Sequence, residues 1–140
     1  MVDDAWIPCI FEVSSPQGRV HMAGPLISNT DDTDYQMMFR LPIPAMKGNM
    51  RLHIDGCRVG VLGADQANYV SQLSINGMTY QAMKVMFETK EPINAQNLKS
   101  YSMTPYDAST YEAVLVRIWC SVSEANKLHL SSVLLHCYYA

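Results

Sequence analysis

The chain has 140 residues, of which 49% are hydrophobic and 16% are charged, and its formal net charge at pH 7 is −3. This length favours one domain over residues 1–140, with a core large enough to fold without disulfide bonds. The scattered Lys and Arg residues provide no basic patch for nucleic acid, and no run of about 20 apolar residues predicts a membrane span.

The first half of the chain predicts short strands separated by turns. We expect strands over residues 6–13, 19–23 and 35–41, each followed by Gly, Pro or Asn residues. The longest polar stretch, residues 28–34, has too few apolar residues to pack and is predicted to be a surface loop.

Two predicted strands, residues 50–62 and 128–139, change their buried face midway. A change of parity moves side chains across a sheet, so each strand needs a bulge or a bend. The interruptions are Asp55 with Gly56 in the first strand and Ser131 with Ser132 in the second. The inward positions are Leu52, Ile54, Cys57, Val59 and Val61, and Leu128, Leu130, Val133, Leu135 and Cys137.

A strand is predicted over residues 69–76. It ends at the dipeptide Asn76-Gly77, which favours the type I′ turn of a hairpin. The elements predicted after that turn are a returning strand over 78–89, a long loop over 90–109 with one short helix at 94–98, and strands over 112–122 and 128–139.

About eight short strands with turns between them predict an all-β fold, an antiparallel β-sandwich, and the jelly roll is the commonest such plan at this length. The stretch from Leu52 to Gly77 contains an L-x-I-x-G-x-R-V-x-V strand, an Ala-Asp-x-x-Asn-Tyr-Val turn and a Leu-x-Ile-x-Gly strand. It resembles jelly-roll β-sandwich modules such as carbohydrate-binding modules and virion proteins. The resemblance implies a fold and carries over no ligand residue.

Four aromatic residues are the candidate ligand-binding residues: Tyr101, Tyr106, Tyr111 and Trp119. They offer a stacking platform for the apolar faces of sugar rings, or they belong to the core and to a subunit interface. The second interpretation is favoured, because Leu115 and the low charge indicate a covered surface.

Asp31, Asp32 and Asp34 are candidate oxygen ligands for a structural calcium ion, and the alternative is that these carboxylates are simply solvated. His53 and His129 occupy equivalent outward positions in the two long strands, so a shared metal site is a further hypothesis. The sequence implies no other cofactor.

Cys9, Cys57, Cys120 and Cys137 lie in apolar strand-like runs without C-x-x-C spacing, which predicts reduced, buried thiols. The N-terminal residues lack the charged and apolar regions of a secretion signal. We therefore expect an intracellular or particle-associated location.

The leading functional hypothesis is a non-enzymatic structural module that assembles as a homo-oligomer or within a larger particle such as a virion. It depends on the low charge and on strands that are apolar on both faces. A carbohydrate-binding β-sandwich is the alternative. A small enzyme that uses a His with a carboxylate is the second alternative, although no catalytic motif is present.

Overall fold

The structure is a computed structural model, and it describes residues 4–15, 21–23, 26–28, 33–124 and 127–140. The strands in these ranges are β1 (Ala5–Pro8), β2 (Ile10–Ser15), β3 (His21–Ala23), β4 (Leu26–Ser28), β5 (Thr33–Arg40), β6 (Met46–Lys47), β7 (Met50–Leu62), β8 (Asn68–Met78), β9 (Met83–Thr89), β10 (Asn97–Asp107), β11 (Ala113–Val122) and β12 (His129–Tyr139). Within the same ranges there is no helix that is long and apolar enough to cross a membrane.

Two antiparallel sheets form a sandwich. Sheet A has the order β10-β7-β12-β4-β3, with β1 also paired to β12 and β6 paired to β7. Sheet B has the order β2-β5-β11-β8-β9. Strands β1 and β2 are separated by Cys9 alone, so the first segment of the chain passes from one sheet to the other.

Eight of the strands follow jelly-roll order. When β1, β5, β7, β8, β9, β10, β11 and β12 are counted from one to eight, sheet A contains the order 6-3-8-1 and sheet B the order 2-7-4-5. Apart from β8 and β9, neighbouring strands in these two orders are not consecutive in sequence, as in the two Greek keys of a jelly roll. The predicted all-β antiparallel β-sandwich is confirmed.

The core lies between the sheets and takes side chains from both. Burying one Val, Leu or Ile side chain contributes about 1.5–3 kcal/mol. Strand β11 is central in sheet B, and it buries five alternating residues, Val114, Val116, Ile118, Cys120 and Val122. Their partners from sheet A include Leu52, Ile54, Val59, Leu130 and Leu135.

The two long strands that change parity are β7 and β12, and they are hydrogen-bonded neighbours. Their register shifts by one residue at two places. On β12 the extra residue is Ser131, and on β7 the extra residue is Asp55. Each shift is a β-bulge, so the predicted bulges are confirmed, and all ten predicted inward side chains are buried.

The predicted Asn-Gly turn is wrong in position. Asn76 and Gly77 lie inside β8, and the chain reverses at residues 79–82, where the backbone N–H of Thr79 donates to the carbonyl of Ala82 at 2.9 Å. Gly77 is needed for another reason. A Cβ atom there would stand 2.5 Å from Cγ of Tyr111, so glycine makes room for the tyrosine ring.

The long loop and short helix predicted over residues 90–109 are also wrong in part, because residues 97–107 form strand β10 on the edge of sheet A. Pro105 and the Asn residues concealed an alternation in which Tyr101 and Met103 pack against the core. A register shift between Ser102 and Tyr106 interrupts the pairing of β10 with β7.

Candidate functional site

The structure does not bring the four predicted aromatic residues together. Tyr101 points toward the core, where its ring centroid lies 5.7 Å from that of Phe87. Trp119 lies on the outer face of sheet B, with the Arg117 guanidinium 4.6 Å from its ring centroid. The predicted aromatic platform is therefore divided among separate places in the fold.

Tyr106, next to the last residue of β10, does meet Tyr111, which lies in the connection after that strand. Their hydroxyl oxygens are 3.1 Å apart and their ring centroids 6.2 Å apart. The hydrogen bond with Tyr106 and then desolvation raise the pKa of Tyr111, because both favour its neutral form. These two residues are the part of the predicted set that shares one location.

The metal-site hypotheses have different outcomes. Asp31 and Asp32 lie outside the described residues, and Asp34 is described only as a backbone position of β5, so the calcium site stays a prediction. His53 pairs with Tyr138 and His129 with Leu62 on the antiparallel strands β7 and β12. The two histidines are thus about 30 Å apart. Within the described ranges no cluster of His, Cys, Asp and Glu could hold a metal ion.

An open depression of about 330 Å³ lies on the outer face of sheet A. We call it the Trp6 depression, and its lining residues are Trp6, Asp55, Gly56, Arg58, Ser100, Tyr101, Ser102 and His136. One row of paired residues crosses it from strand to strand: Trp6 on β1, His136 on β12, Gly56 on β7 and Ser102 on β10. Because Gly56 has no side chain, the Trp6 ring and His136 pack closely against it, and a Cβ atom there would stand 3.2 Å from Cη2 of Trp6.

His136 lies between two carboxylates. Its Nδ1–H donates to Oδ1 of Asp55 at 2.5 Å, and its Nε2 is 3.5 Å from Oδ2 of Asp4. Asp55 is the bulged residue of β7, and a bulge turns a side chain that would otherwise follow the alternation of the strand. The bulge therefore brings a carboxylate to the imidazole on the outer face.

Trp6 and Arg58 form the other side of the depression. Cζ of Arg58 is 4.1 Å from the Trp6 ring centroid, a cation–π contact worth about 0.5–2 kcal/mol. Nε of Arg58 donates to Oγ of Ser100 at 3.1 Å, which fixes the guanidinium. The Trp6 and His136 rings are tilted by 54° at 5.0 Å, so the aromatic wall continues onto the imidazole.

The His136–Asp55 pair matches the carboxylate-histidine arrangement that the enzyme hypothesis required. Nucleophilic catalysis also needs a hydroxyl or thiol within hydrogen-bond reach of the histidine. Ser102 is two strands away from His136, with Gly56 between them, which separates their Cα atoms by about 10 Å. The described geometry therefore supports binding better than acyl transfer.

The cysteines do not supply a reactive group either. Cys57, Cys120 and Cys137 are buried, and Cys9 is half-buried. Burial raises the pKa of Cys57 to about 12, and burial together with the nearby Asp55 raises the pKa of Cys137 to about 12. Thiols that stay protonated are poor nucleophiles, so these residues serve as packing.

Sequence reasoning did not select Trp6, Asp55, Arg58 or His136 as site residues. The usable signal was the parity change at Asp55 and Gly56, since bulges are frequent next to binding sites. That signal marked one strand, whereas the pairing of β7 with β12 and β1, which assembles the site, depends on the tertiary fold.

The described residues thus define a jelly-roll β-sandwich with a small polar and aromatic depression on one sheet. No family model matches the chain, and no curated protein matches it. Among solved structures, chitosan-binding module 1 derived from a chitosanase/glucanase of Paenibacillus sp. IK-5 is similar over 94% of this chain and 96% of that chain. The sequence identity is 10% and the TM-score is 0.49.

Proposed function

We propose that this domain is a carbohydrate-binding module and that its ligand occupies the Trp6 depression. The observation that carries the proposal is the convergence of an aromatic ring, a guanidinium, a carboxylate and an imidazole around one depression floored by Gly56. The volume of about 330 Å³ is at the lower end of the range for small-ligand sites.

The polar groups of the depression suit the hydroxyls of a sugar. Each sugar hydroxyl both donates and accepts, so a site that holds several of them needs donors and acceptors side by side. Arg58 only donates, ionised Asp55 only accepts, and the hydroxyls of Ser100 and Ser102 do both. The indole of Trp6 adds an apolar surface for the C–H faces of the ring.

The charges of the depression argue against a simple anion site. Asp4 and Asp55 place two carboxylates beside His136, and Arg58 already contacts Trp6 and Ser100. A phosphate or carboxylate ligand would meet these acids at close range. A neutral ligand rich in hydroxyls meets no such repulsion.

The assembly hypothesis has less support than the carbohydrate hypothesis. Among the side chains that the structure describes, most of the exposed large apolar ones are spread over three edge strands, with Ile10 and Phe11 on β2, Met83 and Val85 on β9 and Leu98 on β10. Protein-binding surfaces are contiguous apolar patches, whereas exposed apolar residues that stand apart are normal for a monomer.

A glycan array with the purified domain tests the proposal, with chitosan oligosaccharides among the glycans and with calcium both present and chelated. Trp6→Ala is expected to lower the affinity for the bound glycan at least about tenfold, because it removes the aromatic wall. Trp119→Ala is the matched control, since Trp119 is also half-buried on an outer sheet face beneath an Arg. It is expected to bind like the wild type.

Three outcomes would count against the proposal. Absence of binding to every glycan would refute carbohydrate binding. Retention of full affinity by Trp6→Ala would place the ligand elsewhere, and loss of affinity in Trp119→Ala alone would move the site to sheet B. Urea unfolding of each variant distinguishes a lost contact from a lost fold.

A further inference from the structure

We infer that the carbohydrate ligand is an oligosaccharide that extends from the Trp6 depression across β10 to a second subsite formed by Tyr106 and Tyr111. This inference rests on the proposed function. The second subsite, which we call the Tyr111 cleft, is an open space of about 460 Å³ lined by Lys84, Pro105, Tyr106, Asp107, Thr110 and Tyr111.

The Tyr111 cleft is built from fixed side chains. The Tyr111 ring lies against the backbone of Gly77, where a Cβ atom would stand 2.5 Å from its Cγ. Its hydroxyl is held by that of Tyr106 at 3.1 Å. A ring clamped by packing on one side and by a hydrogen bond at its tip loses little further freedom when a ligand binds.

The cleft offers the same mixed hydrogen-bonding capacity as the Trp6 depression. One phenol donates to the other, so one O–H of the tyrosine pair remains to donate outward. Asp107 supplies an acceptor that is held in place by the backbone N–H of Ser109 at 2.9 Å and by Arg51 at 3.3 Å. Lys84 and Thr110 add further donors, and the charges are mixed.

Strand β10 connects the two subsites. Ser102 lines the Trp6 depression, and Tyr106 lines the Tyr111 cleft four positions later on the same strand. The span between them is at most about 13 Å, longer than one sugar ring. Ser102, Thr104 and Pro105 are exposed along it, and β10 is an edge strand of sheet A, so the path between the subsites is open to solvent.

The Tyr111 cleft also has room for the end of such a chain. Tyr111 forms one wall of the cleft and one wall of a neighbouring cavity of about 320 Å³, between residues 40–45 and residues 108–114. Both volumes fall within the range of small-ligand sites.

Calorimetric titration of the wild type with an oligomer series, from disaccharide to hexasaccharide of the glycan that the array identifies, tests the inference. Affinity is expected to rise with chain length until both subsites are filled and then to level off. Tyr106→Phe and Tyr111→Phe keep the rings and remove the hydroxyls. Each is expected to lower the affinity for the long oligomers about fivefold and to leave disaccharide affinity unchanged.

Tyr80→Phe is the control, because Tyr80 is 82% exposed in the turn at the same end of the sandwich. It should match the wild type at every chain length. Affinity that does not depend on chain length, or a phenol variant that binds the hexasaccharide normally, would overturn the inference while leaving the proposed function intact. Two disaccharides bound per domain would show separate sites and would also overturn it.

Discussion

Gly56 and His136 lie directly opposite each other on β7 and β12, and a Cβ atom at position 56 would stand 3.1 Å from Cβ of His136. The same atom would stand 3.2 Å from Cη2 of Trp6. The absence of a side chain at Gly56 therefore sets both the depth of the Trp6 depression and the position of its aromatic wall.

Gly56→Ala is expected to displace the Trp6 ring and to weaken glycan binding about tenfold, with a loss of about 1 kcal/mol in the free energy of unfolding from overpacking. Calorimetry and urea unfolding measure the two effects. In the Trp6→Ala background, Gly56→Ala should lower the glycan affinity and the free energy of unfolding by less, because the indole that the methyl group would meet is absent. Equal costs in the two backgrounds would show that the indole does not depend on Gly56.

Gly48 and Gly63 both have a positive φ, and they differ in the space that an added side chain would find. Gly48 has φ 61° with open space around its Cα, whereas Gly63 has φ 70° and a Cβ atom there would stand 1.9 Å from the carbonyl oxygen of Lys127. Gly48→Ala should cost about 1–2 kcal/mol from the left-handed backbone alone. Gly63→Ala should cost clearly more or prevent folding. Similar unfolding midpoints for the two variants would contradict this.

The turn after β7 predicts a specific pH dependence. Asp65 accepts from the backbone N–H groups of Ala67 and Asn68, and its Oδ2 lies 2.6 Å from Nζ of Lys127. Lys127 first, and then these N–H groups, hold the pKa of Asp65 below its usual value. The ionised form is therefore favoured in the folded state.

A lowered folded pKa stabilises the protein at pH values above the unfolded pKa of Asp, about 3.9, and this stabilisation is lost as the pH falls through the folded value. Asp65→Asn keeps the acceptor for the turn and removes the charge. We expect it to lower stability at pH 6, and we expect the difference from the wild type to shrink steadily as the pH falls below about 4, as measured by urea unfolding across pH. A difference that stays the same size from pH 6 into acid would point to the turn instead of the ion pair.

The spread of exposed apolar residues over several edge strands predicts a monomer. Sedimentation at micromolar concentration is expected to give one species of the chain's own mass, 15.7 kDa. A stable dimer or larger assembly would instead support the homo-oligomer that the low charge predicted.

Much of the fold was predictable from local pattern. The parity change at Asp55 predicted a bulge, and the alternation from Val114 to Val122 predicted a strand, because the two-residue period of a strand is read directly from the sequence. Gly77 shows where this approach fails. Gly77 leaves room for the ring of Tyr111, which lies in the connection between β10 and β11. No local rule distinguishes a glycine that makes room for a distant side chain from a glycine in a turn.

The candidate site was less predictable, because it is assembled from four strands. Trp6, Asp55 and His136 are far apart in sequence and meet only through the pairing of β1, β12 and β7. Tyr106 and Tyr111 were selected as aromatic residues and do meet, whereas Trp119, selected on the same ground, lies on the outer face of sheet B.

Asp55 is an extra residue in the ladder between β7 and β12, so removing it would leave every other backbone pair of those two strands as it is. The same residue supplies the carboxylate that His136 contacts. Deletion of the Asp55 codon would thus remove this carboxylate from the depression without changing how β7 pairs with β12. The polar character of the Trp6 depression therefore depends on the length of the chain at a single point, independently of the substitutions that maintain the core.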